Sequence, residues 1–253
     1  MRGFMALLKK ELKEQLRTNR IVIVAGVFLF FGLTTPLMIK YLPELLEMAG
    51  ESGMTIEFPP PTAAQAMAEY TSTMMQFGVL IAVLIAMGAI ARERESGTAA
   101  LTLSKPVGYP AFVTAKFKAL GVTTMIAVLL GGLACWGYTY LLFDGAPVLG
   151  FFYQNVLLLL YLLLAVAVTL LFSSLFRSQL AAGALGLLTV IVLTIISSLP
   201  WVGKYLPGEL ISWGNHLLNG ESGGAAWWAV LVTVGLIVLS LYLASTSLKK
   251  KEI

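Results

Sequence analysis

The stretch Ala91-Arg-Glu-Arg-Glu-Ser-Gly-Thr98, continuing as Ala-Ala-Leu-Thr-Leu-Ser-Lys-Pro106, decides how this chain is read. It sets four consecutive charges, a glycine and a proline between two long apolar runs, residues 70–91 and 112–143. A helix needs about 20 apolar residues to cross a ~30 Å hydrocarbon core, and both runs are long enough. The charges therefore read as a boundary where the chain leaves one membrane span and prepares to enter the next.

Working outward, the same kind of run recurs at about 21–41, 148–176, 179–199 and 225–244. Hydrophobic residues make up 58% of the 253 and charged residues only 12%, about half the charged share of a soluble globule. The runs are continuously apolar and do not alternate, which argues against a β-barrel. The expected fold is an all-α polytopic membrane protein of six transmembrane helices, a single transmembrane domain over residues 1–253. No polar segment is long enough for a soluble domain.

Residues 1–20 predict an interfacial helix. Phe4, Leu8, Leu12 and Leu16 recur every fourth residue as an apolar stripe, while Lys9, Lys10, Lys13 and Arg17 fall off it. That split suits a helix lying on an anionic bilayer surface. No small-residue cleavage site comes after the first apolar run, which disfavours a signal peptide.

Six spans put both termini on one side. With that side inward, the inner segments hold six Lys/Arg in residues 1–20, five in 92–118, Arg177 and three at the end. That is fifteen of the 17, leaving Lys40 and Lys204 outside. The positive-inside rule then predicts cytoplasmic N- and C-termini. Short outer helices are expected between spans five and six.

Sites of chemistry are scarce. The cores of the spans carry no Asp, Glu, Lys, Arg or His, whereas membrane enzymes and proton-coupled carriers place ionisable groups there. His216 has no second His, Cys or clustered carboxylate at metal-ligand spacing. Cys135 sits in an apolar run and reads as a small buried hydrophobe. Met74, Met75 and Met87 fall at helical spacings and read as packing. Gln76, Gln154, Asn155 and Gln179 read as helix-to-helix hydrogen bonds or anchors. Ala127 with Gly131, and Ala182 with Gly186, are small pairs four apart that permit close helix approach. No G-x-x-x-x-G-K-[ST] occurs, so ATP hydrolysis is not expected on this chain.

A stop-transfer cluster accounts for Arg92 and Arg94 but not for the residues after them. Gly97 permits a sharp turn, Thr98 to Leu103 can form about a turn and a half of helix, and Pro106 prevents its continuation. Such a short helix is unstable without something to pack on. A cytoplasmic partner is the natural candidate.

Three local patterns resemble the permease subunit of ABC-2 type ABC transporters. Lys9-Lys10-Glu11-Leu12-Lys13-Glu14 through Arg17 resembles the family's interface helix. Glu93-Arg94-Glu95-Ser96-Gly97-Thr98, then Leu101 and Leu103-Ser104-Lys105-Pro106-Val107, is similar to the segment after the second span in that family. Leu206-Pro207 with Leu210, Trp213 and Leu217-Leu218 resembles its outer helices. The sequence departs from the pattern at Gly108-Tyr109 and Ala115-Lys116.

The resemblance implies half of an exporter in a prokaryotic cytoplasmic membrane, paired with a second copy or a paralogue. Two copies of a separate ATPase subunit would bind ATP and Mg; no cofactor, metal or nucleic acid is expected on this chain. Glu93, Arg94, Glu95, Ser96, Gly97, Thr98, Leu101 and Leu103 would dock the ATPase through a coupling helix, braced by the N-terminal helix. Spans 2 and 5 would line the path, with Gln76, Thr189 and Thr194 as its polar points. An ATP-independent channel or carrier, or a membrane anchor for another complex, are the competing readings.

Overall fold

The computed structural model describes residues 2–49, 60–98, 108–143, 145–221, 224 and 226–250. Among these are eight α-helices and no strand: α1 Arg2–Arg17, α2 Arg20–Ala49, α3 Ala63–Glu95, α4 Tyr109–Phe143, α5 Val148–Leu175, α6 Gln179–Ser197, α7 Glu209–Leu218 and α8 Trp227–Lys250. A 3-10 turn over Gly203–Tyr205 precedes α7. Six helices, all but α1 and α7, are long and apolar enough to cross a membrane. The protein is an all-helical, six-span chain, as its apolar runs predict.

Local chemistry sets the helix ends. Asn19 takes a positive φ of 54° and separates α1 from α2, a conformation asparagine tolerates better than most residues. Thr62 and Gln65 close a reciprocal capping box at the start of α3, satisfying two otherwise orphaned N–H groups. Gly97, at φ 71°, turns the chain just past α3, and only glycine adopts that conformation without strain. Pro36 and Pro43 lie inside α2, which continues through both.

The core is built around α5. Every residue from Leu164 to Leu170 is buried, so this helix is covered on all sides. Its apolar character all round is what a central helix requires. Helices α2 and α4 cross at glycine contact: a Cβ on Gly32 would strike the Gly131 carbonyl, and one on Gly131 would lie 2.8 Å from the Phe28 carbonyl oxygen. On α6, Ala182 is buried and Gly186 lies against Thr169 of α5. Both small-residue pairs thus sit at helix contacts. Close approach is how apolar helices gain dispersion energy where lipid offers no hydrophobic drive.

The helix ends form two clusters. The near end gathers α1, the C-terminus of α3 and the N-terminus of α4. At the far end α7 lies on α5. Leu210, Ile211, Gly214 and Leu218 form its buried face, and Gln154 donates to Asn215 at 2.6 Å. Also there, Lys40 donates to the Leu142 carbonyl.

Candidate functional site

The near end carries the one dense group of buried charge among the described residues. Glu11 of α1, Glu93 of α3 and Lys116 of α4 meet there, with Lys10 of α1 at the rim. The Lys116 Nζ lies 3.1 Å from each carboxylate oxygen of Glu11 and 3.1 Å from Oε1 of Glu93. The Lys10 Nζ lies 2.9 Å from the same Glu93 oxygen and 3.2 Å from Oε1 of Glu11. Acid and base therefore alternate around a closed ring that joins three helices.

Lys116 and Glu11 are almost wholly buried, at 3% and 5% side-chain exposure, while Lys10 is half exposed. Lys116 also stands 5.0 Å from the centre of the Phe112 ring, a geometry that favours a cation. Burial works against the Lys10 ammonium, but the Glu93 and Glu11 carboxylates hold it above the ordinary lysine value. Glu14 brings a third carboxylate, within 4.8 Å of the other two. The two ammonium groups already occupy the space between Glu11 and Glu93, so the cluster reads as an ion-pair ring and not as a metal site.

The ring holds α3 on one side, and α5 holds it on the other. Ser173 accepts from the backbone N–H groups of Ile90 and Ala91 at 3.0 and 2.9 Å and donates to the Met87 carbonyl at 2.8 Å. Arg94 donates to the Ser174 carbonyl at 2.6 Å. Beyond them the hydroxyls of Ser96 and Thr98 lie 2.9 Å apart, and each donates to the Glu93 carbonyl at 3.3 Å. The turn leading out of α3 therefore starts from a helix end that is fixed by α1, α4 and α5 together.

The residues expected to dock a partner fall in two groups. Glu93 is in the ring and Arg94 is hydrogen-bonded to Ser174 of α5; Glu95, Ser96, Gly97 and Thr98 are exposed. Leu101 and Leu103 lie outside the described residues, as does most of the short helix expected over 98–103. On α1 the expected stripe is not the face that packs. Leu7, Glu11 and Gln15 are buried, Phe4, Leu8 and Leu12 are half-buried, and Leu16 is 59% exposed. The buried face is turned toward the charged ring. Lys118 stands 5.1 Å above the Phe4 ring and helps fix that turn. Lys9, Lys13 and Arg17 are all exposed, on the free side of the helix.

The three residues expected along a path also differ. Gln76 is exposed on α3, beside exposed Phe77 and Leu80. Thr189 is half-buried and donates to the Leu185 carbonyl. Thr194 is 2.7 Å from the Tyr161 hydroxyl and so faces α5. Sequence reasoning did not single out Lys116, Ser173 or Ser174 as site residues. The one hint was the series Leu7, Glu11, Gln15, in which polar residues continue an apolar i, i+4 row.

Six apolar spans with a charged knot at one end define a helical integral membrane protein. The chain belongs to the ABC-2 family of transporters: the family model described as ABC-2 family transporter protein matches residues 5–253. It is the membrane component of an ABC transporter, a transport part and not a catalytic one. A curated relative from Bacillus subtilis (strain 168), described as the uncharacterized transmembrane protein YxlG, is 31% identical over 243 residues and covers 94% of each chain.

Proposed function

We propose that this chain is half of an exporter's translocation path and docks a separate ATPase subunit through residues 92–106. The observation that carries the reading is the Lys10–Glu11–Lys116–Glu93 ring, which joins α1 and α4 to the end of α3 where that segment begins. A lever works only if its base is rigid. A helix end held by a ring on one side and by Ser173 on the other passes displacement into α3 with little slack.

In this reading two ATPase subunits bind ATP and Mg, and their closure pushes residues 92–106. The push tilts α3 relative to α6 and opens a path against a second copy of the chain or a paralogue. Arg92 and Arg94 resist being drawn into hydrocarbon, at about 2.5–3.5 kcal/mol each on insertion scales. The near end faces the cytoplasm of a prokaryotic cell, which agrees with the excess of Lys and Arg on that side.

The test is a pull-down of the tagged chain from native membrane, with mass-spectrometric identification of the proteins retained. An ATP-binding subunit should be recovered with the unmodified chain and lost with Leu101→Asp, while membrane insertion is unchanged. Equal recovery with the variant would refute docking through this segment.

A further inference from the structure

A groove of about 200 Å³ lies between α4 and α5 toward their far end. Buried Val128, Gly132 and Phe151 form its floor, and exposed Leu133 and Phe152 stand at its rim. No charged side chain borders it. Two polar side chains do: the indole of Trp136 on α4 and the amide of Asn155 on α5. Trp136 Nε1 and Asn155 Oδ1 are both buried, and neither has a hydrogen-bond partner among the described residues. An unpaired donor or acceptor kept from water is costly, and more so where its surroundings are hydrocarbon.

The two groups lie at one depth. Trp136 is seven residues from the last residue of α4, and Asn155 is seven from the first of α5, about 10 Å from the helix end in each case. A Cβ on Gly132 would stand 2.7 Å from Asn155 Oδ1, so the amide oxygen leans on the backbone of α4 one turn before Trp136. Long side chains on a helix lean over the preceding turn, which carries the indole toward that same oxygen. Asn155 Nδ2 donates to the Phe151 carbonyl at 2.9 Å, and this leaves the oxygen as the free end of the amide. A donor and an acceptor thus border one groove without bonding to each other. A single hydroxyl satisfies both, accepting from Trp136 and donating to Asn155.

Such a hydroxyl must arrive on an apolar, uncharged body. The 28 residues of α5 span about 42 Å, close to the ~40–45 Å of a bilayer with its headgroups. A point about 10 Å from the end of that helix lies just inside the hydrocarbon, below the level of charged headgroups. We propose that the groove binds an uncharged lipid with one free hydroxyl, of the diacylglycerol type, whose hydroxyl bridges Trp136 and Asn155 and whose acyl chains lie over the rim at Leu133 and Phe152. This site is separate from the path assigned to α3 and α6. Its assignment to the outer leaflet rests on the orientation proposed above, whereas the binding is measured in detergent and fails or stands by itself.

The experiment is native mass spectrometry of the purified chain, titrated with 1,2-dioleoylglycerol. Asn155→Leu keeps the bulk and removes the acceptor, and Trp136→Phe keeps an aromatic ring and removes the donor. A monodisperse size-exclusion peak verifies that each variant folds. Each should bind the lipid about ten-fold more weakly, the loss of one hydrogen bond. Leu231→Ala, exposed on α8, should stay within twofold of the parent. A second arm needs no substitution: blocking the lipid hydroxyl as its acetate should weaken binding to the parent about ten-fold and leave binding to Asn155→Leu unchanged. Equal affinity of the parent and both polar variants would overturn the site. Equal affinity of the parent for the free and the acetylated lipid would overturn the hydroxyl bridge. Tighter binding of dioleoyl phosphatidylglycerol would overturn the preference for an uncharged head.

Discussion

Replacing Lys116 by methionine tests whether the ring holds α1 in place. Methionine nearly matches the volume of the lysine stem and suits a position that is 3% exposed beside Phe112. It removes the charge that stands between Glu11 and Glu93, whose carboxylate oxygens lie within 4.8 Å. Two like charges at that separation repel by about 3 kcal/mol at an effective dielectric of about 20. That agrees with the roughly 3–5 kcal/mol lost when one member of a buried pair is removed. Lys10, half exposed, offsets only part of this. A penalty of about 3 kcal/mol raises the detached fraction of α1 about a hundredfold. Hydrogen exchange of the chain in nanodiscs reads that directly: backbone amides in the second half of α1 should exchange faster by about that factor, while those of α5 stay protected. Adding Glu11→Gln should recover part of the protection, because the Lys10–Glu93 contact then stands without an opposing carboxylate. Exchange in α1 within twofold of the parent would refute the holding role of the ring. Equal loss of protection in α5 would refute its locality.

Other consequences are separable from this one. Gly131→Ala should cost about 1–3 kcal/mol, because the new methyl would lie 2.8 Å from the Phe28 carbonyl oxygen and 2.5 Å from the Tyr70 hydroxyl. Its melting temperature in detergent should fall by roughly 5 °C, whereas Gly235→Ala, which meets nothing within 4 Å, should not lower it. Ser173→Ala removes one acceptor and one donor at the α3–α5 contact, and exchange at Ile90 and Ala91 should rise by about tenfold, near 1–2 kcal/mol. A reporter fused to the C-terminus should read cytoplasmic and one inserted near Ser52 should read external; the reverse would overturn the orientation.

The spans were legible because lipid imposes a simple rule on sequence. Every backbone polar group must be satisfied inside the element, so a long apolar run can be little other than a helix. The small pairs Ala127/Gly131 and Ala182/Gly186 were legible for a related reason: where only packing holds helices together, small residues mark the contacts. The ring was not legible. Glu11 and Lys116 are 105 residues apart, and each has a sufficient local reading, the first as one charge in an amphipathic helix and the second as a lysine reaching from a span end toward water. Charge pairing is a property of three-dimensional neighbours, and sequence spacing carries no trace of it. Ser173 was hidden in the same way. In a helix a serine usually satisfies itself on the preceding turn, and nothing local says that its oxygen serves another helix.

The orientation of α1 rests on the same distinction. A soluble amphipathic helix turns its apolar stripe inward, yet here Glu11 and Gln15 are buried and Leu16 is left exposed. At a bilayer surface that arrangement is consistent with the physics, since the lipid can receive the apolar flank while the protein receives the polar one. On that placement the helix would gain on both sides: hydrocarbon contact for exposed Leu16 and the open flanks of Leu8 and Leu12, and charge pairing with α3 and α4 along Glu11. The pairing is what makes the attachment specific. An apolar stripe would lie on any stretch of membrane, whereas a carboxylate that must meet Lys116 fixes one position and one rotation of α1 beside the end of α3. The charged residues of α1 thus set where it lies against α3 and α4. The turn at Gly97 leaves from a helix end that this positioning has already fixed.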